Sequence, residues 1–453
     1  MKKRERYVPR DPLFSARDLK NLLVPLLLEQ CLAVMIGMAD TMMVSSCGEA
    51  SVSGVSLVDS VNVLLIQVFS ALATGGAVAA SQYLGKKDRE QAGVAAKQLF
   101  NVVFIASLAI MTLCLVLRDP LLSGLFGSIE PDVMTAARSY MLLSALSYPF
   151  LAAYNAAAAL LRAQGNARST LTVSLVMNLV NVAGNALTIY GLGMGVTGAG
   201  LATLVSRAVA AVLVQKHLRR KDNPIPAPDL LKPDWRGDMI RRILRVAVPN
   251  GLENGFFQLG KLLLLRMVST FGTASIAANA VGGSIATFQC LPGSAVSLAM
   301  ITVVGQCVGA GDYRQTRYYV RRLMTVCYLM MSSLNLLILL ARGPILGLYG
   351  LSAEAERLGS LIVLLHGSGA ILIWPLSFSF PNALRAAGDA RFTMVVSSVS
   401  MVVFRMVSAW LLAIPMGYGV LGVWMAMLID WVCRVICFLI RYHGSRWQTK
   451  ALV

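Results

Sequence analysis

LRAQGNAR at Leu161–Arg168 returns as LRAAGDAR at Leu384–Arg391, a slide of 223 residues. SQYLGKKDREQA at Ser81–Ala92 returns as GQCVGAGDYRQT at Gly305–Thr316, a slide of 224, so that Gln82, Gly85, Asp88 and Gln91 fall on Gln306, Gly309, Asp312 and Gln315. The same offset lays Pro25 and Glu29 on Pro249 and Glu253. The chain from about Val24 to Arg245 is therefore repeated, in diluted form, from about Val248 onward. Two homologous halves in an apolar chain imply two membrane bundles that rock against each other around a central site.

Composition sets the solvent. Hydrophobic residues make up 57% of the 453 and charged residues 14%, with a mean hydropathy of +0.67, well outside the usual soluble range. Apolar segments long enough to cross a bilayer as helices recur along the chain. Twelve are predicted, with cores near 22–44, 56–83, 93–117, 134–161, 171–191, 196–215, 246–270, 276–308, 319–341, 358–383, 392–414 and 418–440. No period-two alternation runs through them, so the closed barrel is excluded and the fold class is all-α and polytopic.

The formal charge of +18 would point to nucleic acid on a soluble protein. Here its placement has a simpler cause. Of the 40 lysines and arginines, Arg207, Lys261, Arg266, Arg405 and Arg434 lie within predicted helices, and Arg118, Arg138, Arg342 and Arg357 lie in loops after odd-numbered ones. All the others sit at the termini, or in or beside the loops after predicted helices 2, 4, 6, 8 and 10. The positive-inside rule then places both termini in the cytoplasm of a multi-pass protein of the bacterial inner membrane, with lipid as its surroundings and no nucleic-acid partner.

The resulting organisation is a cytoplasmic tail over 1–20, a six-helix lobe over 21–218, a cytoplasmic linker over 219–238, a second six-helix lobe over 239–442 and a tail over 443–453. The basic start lacks a small-x-small cleavage site and reads as a retained tail. The linker, RRKDNPIPAPDLLKPDWRGD (Arg219–Asp238), has three prolines within five residues and breaks helix. An even number of helices in each half makes the repeats parallel, related by a pseudo-twofold axis along the membrane normal. Pro25, Pro149, Pro249, Pro292, Pro375 and Pro381 fall inside predicted helices, where each removes a backbone hydrogen bond.

The chemistry of a soluble enzyme is missing from the pattern. There is no Ser/His/Asp set, no HExxH and no GxxxxGK phosphate loop, and the three histidines are scattered, so neither catalysis nor ATP-driven pumping is expected. The eight cysteines have no paired metal spacing and read as packing residues. No metal or cofactor is expected beyond a coupling ion.

Together with GMADTMMVS (Gly37–Ser45) and GLGMGVTGAGLAT (Gly191–Thr203), the repeated stretches resemble the multidrug and toxic compound extrusion (MATE) family over essentially the whole chain. The resemblance implies a V-shaped pair of six-helix bundles, active as a monomer, that exports organic cations or other amphipathic small molecules by alternating access. Inward flow of protons or sodium ions would drive export. A lipid-linked precursor flippase of the same two-lobe architecture is the alternative; an intramembrane enzyme and a channel are rivals from other classes.

A charge within a bilayer is costly and is a functional candidate until explained. Asp40 lies near the end of predicted helix 1, and predicted helix 5 carries an amide stripe of Asn178, Asn181 and Asn185 at spacings of three and four. The stripe reads either as interhelical hydrogen-bond glue or as part of a site. By the resemblance, a coupling-ion site maps onto Asp40, Asn181, Asn185 and Thr203. The family often has an aspartate where this chain has Asn185, which leaves proton and sodium both open. At the 224 offset Asp40, Asn185 and Thr203 become Leu264, Ala409 and Met427, and Asn181 becomes Arg405, or Phe404 at 223. A site of this kind is expected in the first lobe alone. The second lobe holds Glu253, Lys261, Arg266, Arg405, Asp430 and Arg434 instead. Asp430 and Arg434, one turn apart, are expected to pair, with Arg405 completing a network that is either a structural clamp or a cavity lining. Glu29 and Glu253, each four residues after a proline, share a hinge or cavity-wall role.

Overall fold

A chain that must satisfy its backbone inside a bilayer does so with helices, and among the described residues there are twelve long ones. The computed structural model describes residues 9–127, 130–220, 222–226 and 234–453, so the predicted first tail and the linker fall partly outside the described residues. The long helices are α1 (Ala16–Ser45), α2 (Glu49–Gly85), α3 (Arg89–Val116), α4 (Pro131–Ala163), α5 (Ala167–Gly191) and α6 (Gly195–Leu218), then α7 (Gly237–Val268), α8 (Thr273–Gly309), α9 (Tyr313–Leu340), α10 (Ala353–Leu372), α11 (Ala390–Ala413) and α12 (Gly419–His443). Among the described residues ten of these are both long and apolar enough to cross a membrane by composition alone. The other two, α4 and α7, have the length, at 33 and 32 residues. Polar residues dilute them: α7 opens on Arg241, Arg242 and Arg245 and carries Glu253 and Lys261. Large exposed side chains such as Leu179, Leu262, Leu340 and Ile440 point outward, the inside-out pattern of a protein whose solvent is lipid.

The chain divides into two compact units, one of residues 18–251 and one of residues 1–17 with 252–453, and the boundary falls inside α7. In the first unit α2 packs on α3 and α4, α4 on α6, and α5 on α6. The second repeats this order, α8 on α9 and α10 and α11 on α12. Within the second unit the start of α9 is a docking point for both chain ends. The backbone amides of Leu13 and Phe14 donate to Gln315 and to the Tyr319 hydroxyl at 3.1 and 3.0 Å. Trp447, fully buried, stacks on Tyr442 and meets Tyr313 edge-on.

The repeated motifs are turns between helices. Asp88 accepts from the Gln91 amide at 3.0 Å and Asp312 from the Gln315 amide at 2.8 Å, capping α3 and α9 in the same way. The residue before each cap is left-handed, Gly311 at φ 71° and Lys87 at φ 64°, the latter the one non-glycine with positive φ among the described residues. Asn166 caps α5 through the Ser169 amide. Its repeat mate Asp389 makes no such cap and binds Arg441 instead, at 2.7 Å.

Predicted helix 10, drawn through 383, breaks after Leu372. A π-helical turn at Pro375–Ser379 and a short helix at Pro381–Ala386 follow, because two prolines six apart leave carbonyls without their usual donors. Two more π segments lie at the end of α5, Ala186–Gly191, and within α11, Ser400–Met406, the latter containing Arg405. The repeat slips by one residue across these helices: the offset is 223 at Leu161–Arg168 but 224 at the Gly193–Gly198 loop, whose mates are Gly417–Gly422. Between these points the second half holds one residue more, and both α5 and α11 carry a π segment.

Candidate functional site

In the first unit α1 and α5 bring Asp40 against two amides. Asn185 Nδ2 donates to Asp40 Oδ1 at 2.7 Å. The Asn181 amide, with its nitrogen toward Asp40, reaches Oδ1 at 2.6 Å and Oδ2 at 3.1 Å. That orientation turns its carbonyl toward Thr203 Oγ1 on α6, 3.4 Å away, where the hydroxyl can donate. Asn181 and Asn185 are buried and Asp40 half-buried, and Asn185 Oδ1 is buried with no partner. The third amide of the stripe stays apart: Asn178 donates to Ser174, one turn back on its own helix, at 3.3 Å. Asp40, Asn181, Asn185 and Thr203 thus form one cluster of oxygens and amides, with a single carboxylate and one orphaned oxygen, the kind of donor set that suits a proton or a hard monovalent cation. The equivalent Leu264, Ala409 and Met427 are all buried apolar side chains.

Beside Asp40 lies a network that sequence reasoning did not assemble. Asn62 donates to Asp59 Oδ1 at 3.0 Å and accepts from the Tyr148 hydroxyl at 2.7 Å. Tyr140 lies beside Asp59 as well. Arg207, bonded to Ser147 Oγ at 2.6 Å, is close enough to act electrostatically on both Asp40 and Asp59. One signal was available: Arg207 follows Thr203 by four residues, which puts both on one face of α6.

Glu29 and Glu253 share a partner as well as a position. Arg162 Nη1 lies 3.2 Å from Glu29 and Arg385 Nη2 lies 2.6 Å from Glu253. Both arginines are the second residue of the repeated LRAQGNAR and LRAAGDAR, so each half carries the same buried bridge. The copies differ in one bond. Thr170 donates to Glu29 Oε2 at 2.9 Å, whereas its mate Thr393 turns to the Ala390 carbonyl and leaves Glu253 Oε2 buried and unpaired.

In the second unit Arg434 Nε meets Asp430 Oδ1 at 2.9 Å and Arg405 Nη1 stands 3.9 Å from Oδ2. The Ser400 hydroxyl, from the π segment, also donates to Asp430. His366 is buried, with Nδ1 2.6 Å from Gln289 Oε1 and its ring edge-on to Trp424 and Trp431.

Comparison with known proteins settles what this arrangement belongs to. The sequence model of the MatE family matches residues 25–187 and again 249–411, the same two halves at the same 224 spacing. The chain belongs to the MatE family. It is 26% identical to the uncharacterized transporter YisQ of Bacillus subtilis over 98% of this chain and 97% of that one. Against the probable multidrug resistance protein NorM of Thermotoga maritima it is 24% identical, over 99% and 96%. Its fold superposes on a crystal structure of MATE in the bent conformation with a TM-score of 0.87 at 20% identity, covering 96% of each chain. This MatE protein is thus a multi-pass membrane transporter built of twelve helices in two six-helix halves.

Proposed function

We propose that this MatE protein is an antiporter that exports organic cations or other amphipathic small molecules across the bacterial cytoplasmic membrane by alternating access. A proton or a sodium ion entering through Asp40, Asn181, Asn185 and Thr203 supplies the driving force. The observation that carries this reading is the one-sided cluster: a carboxylate held by amides in the first half, where the second half has buried apolar Leu264, Ala409 and Met427 in place of Asp40, Asn185 and Thr203. A group that couples an ion to a conformational change must be neutral in one part of the cycle and charged in another, because crossing the bilayer charged is costly. Multidrug resistance relatives support the export direction, and the family match favours this reading over a precursor flippase. Both termini, on the distribution of basic residues, lie in the cytoplasm, and the protein acts as a monomer.

Proteoliposomes with separately imposed proton and sodium gradients test the proposal. Dye or drug efflux should follow one gradient and collapse with its ionophore. Equal efflux with no gradient would mark a channel or a passive carrier and refute coupling.

A further inference from the structure

We propose that the second unit carries a recognition site for a planar aromatic anion, built around Phe257 on α7. Three cations lie over its ring: Lys261 Nζ at 4.9 Å from the centroid, Arg405 Cζ at 5.5 Å and Arg434 Cζ at 5.7 Å. Asp430 is the one carboxylate set against them, and it is engaged by Arg434 and approached by Arg405. The other acid nearby in sequence, Glu253, one turn before Phe257, is taken by Arg385. Positive charge therefore exceeds negative around this ring, inside a segment where uncompensated charge is expensive.

The unmet bonding capacity points the same way. Arg405 Nε, Arg434 Nη2 and the indole nitrogen of Trp431 are buried donors with no acceptor, against one buried acceptor left without a donor in the cluster, Asp430 Oδ2. Both arginines are more than nine-tenths buried. Lys261 makes no ion pair or hydrogen bond among the described residues, and its side chain is exposed. Flat apolar surfaces adjoin the cations: Phe378 lies under Arg434 at 5.4 Å, stacks on Trp374 at 5.1 Å and meets Trp431 edge-on. Surplus donors beside stacked rings suit a carboxylate, sulfonate or phosphate carried on an aromatic body, with charge-assisted bonds to the head and ring contacts to the rest. A cationic aromatic would meet the same rings but be repelled by the surplus charge.

This narrows the substrate class of the export proposal and rests on it, yet equilibrium binding tests it alone. Two xanthene dyes of opposite charge, fluorescein and rhodamine 6G, are titrated by fluorescence polarisation against the full chain in detergent. Fluorescein should bind saturably and weaken with salt. Lys261→Gln, which breaks no ion pair and so should elute as a monodisperse protein, should weaken it about ten-fold, the scale of one charge-assisted contact. Lys261→Arg should restore it, and rhodamine 6G should not lose affinity in Lys261→Gln. Absent fluorescein binding, or binding indifferent to Lys261→Gln, overturns the site. Fluorescein that binds as described but is expelled from proteoliposomes by no gradient refutes the export reading and leaves the site standing.

Discussion

Asp40 and Glu29 stand on the same helix and have opposite surroundings. Glu29 is closed off by Arg162 and Thr170, a permanent pair that has little reason to open. Asp40 is held by neutral amides, so its charge has no fixed counter-ion within hydrogen-bond reach. Asparagine preserves the size of Asp40 but not its ability to change charge. Asp40→Asn should therefore cut gradient-driven efflux to the level of empty liposomes, while folded yield by size-exclusion stays near the parent's. Leu264→Asp should not rescue it, because Ala409 and Met427 offer no oxygen to a cation. Uphill efflux of parental size by Asp40→Asn would sink the assignment and move attention to Asp59, which has its own hydrogen bond from Asn62.

At the scale of helices, the two halves use the same close crossing near the end of each bundle. A Cβ on Gly198 would stand 2.8 Å from the Thr188 side chain, and on its repeat mate Gly422 2.7 Å from the backbone nitrogen of Ala413. Backbone does not move aside as a side chain can. Gly422→Ala should cost about 1–3 kcal/mol, the usual range for overpacking, seen as a lower melting temperature of the detergent-solubilised protein. Gly283, helical and with nothing near its missing Cβ, is the control: Gly283→Ala should leave melting unchanged or raise it, since alanine is the better helix former. Equal destabilisation by both would mean that helix propensity and crossing distance are not what separates them.

Over the whole molecule the distribution of basic residues predicts topology. In a cysteine-free background, a membrane-impermeant maleimide added outside intact cells should label cysteines placed at Glu130, just before α4, and at Ala353, the first residue of α10, both exposed, and miss one at Lys87. Labelling of Lys87→Cys alone would invert the protein in the membrane, and with it the direction of the proposed export.

Fold class, helix number and the twofold repeat were legible in the chain itself, because each rests on local chemistry. Hydropathy sets a helix against the bilayer. The candidate pairing of Asp430 with Arg434 was equally local, one turn of one helix. What needed the tertiary structure was every relation between distant helices. That Glu29 and Glu253 are bridged by the repeated arginines depends on α1 against the α4–α5 turn and on α7 against its counterpart, over separations of 133 and 132 residues. Which amides of the stripe face Asp40 depends on the rotation of α5: a spacing of three and four selects a face but not its neighbour, and Asn178 fell to its own helix. Arg405 over Phe257 depends on the rotation of α11, whose π segment departs from the 3.6-residue period that a sequence pattern can show. Sequence determines what each helix offers; only packing decides which offers meet.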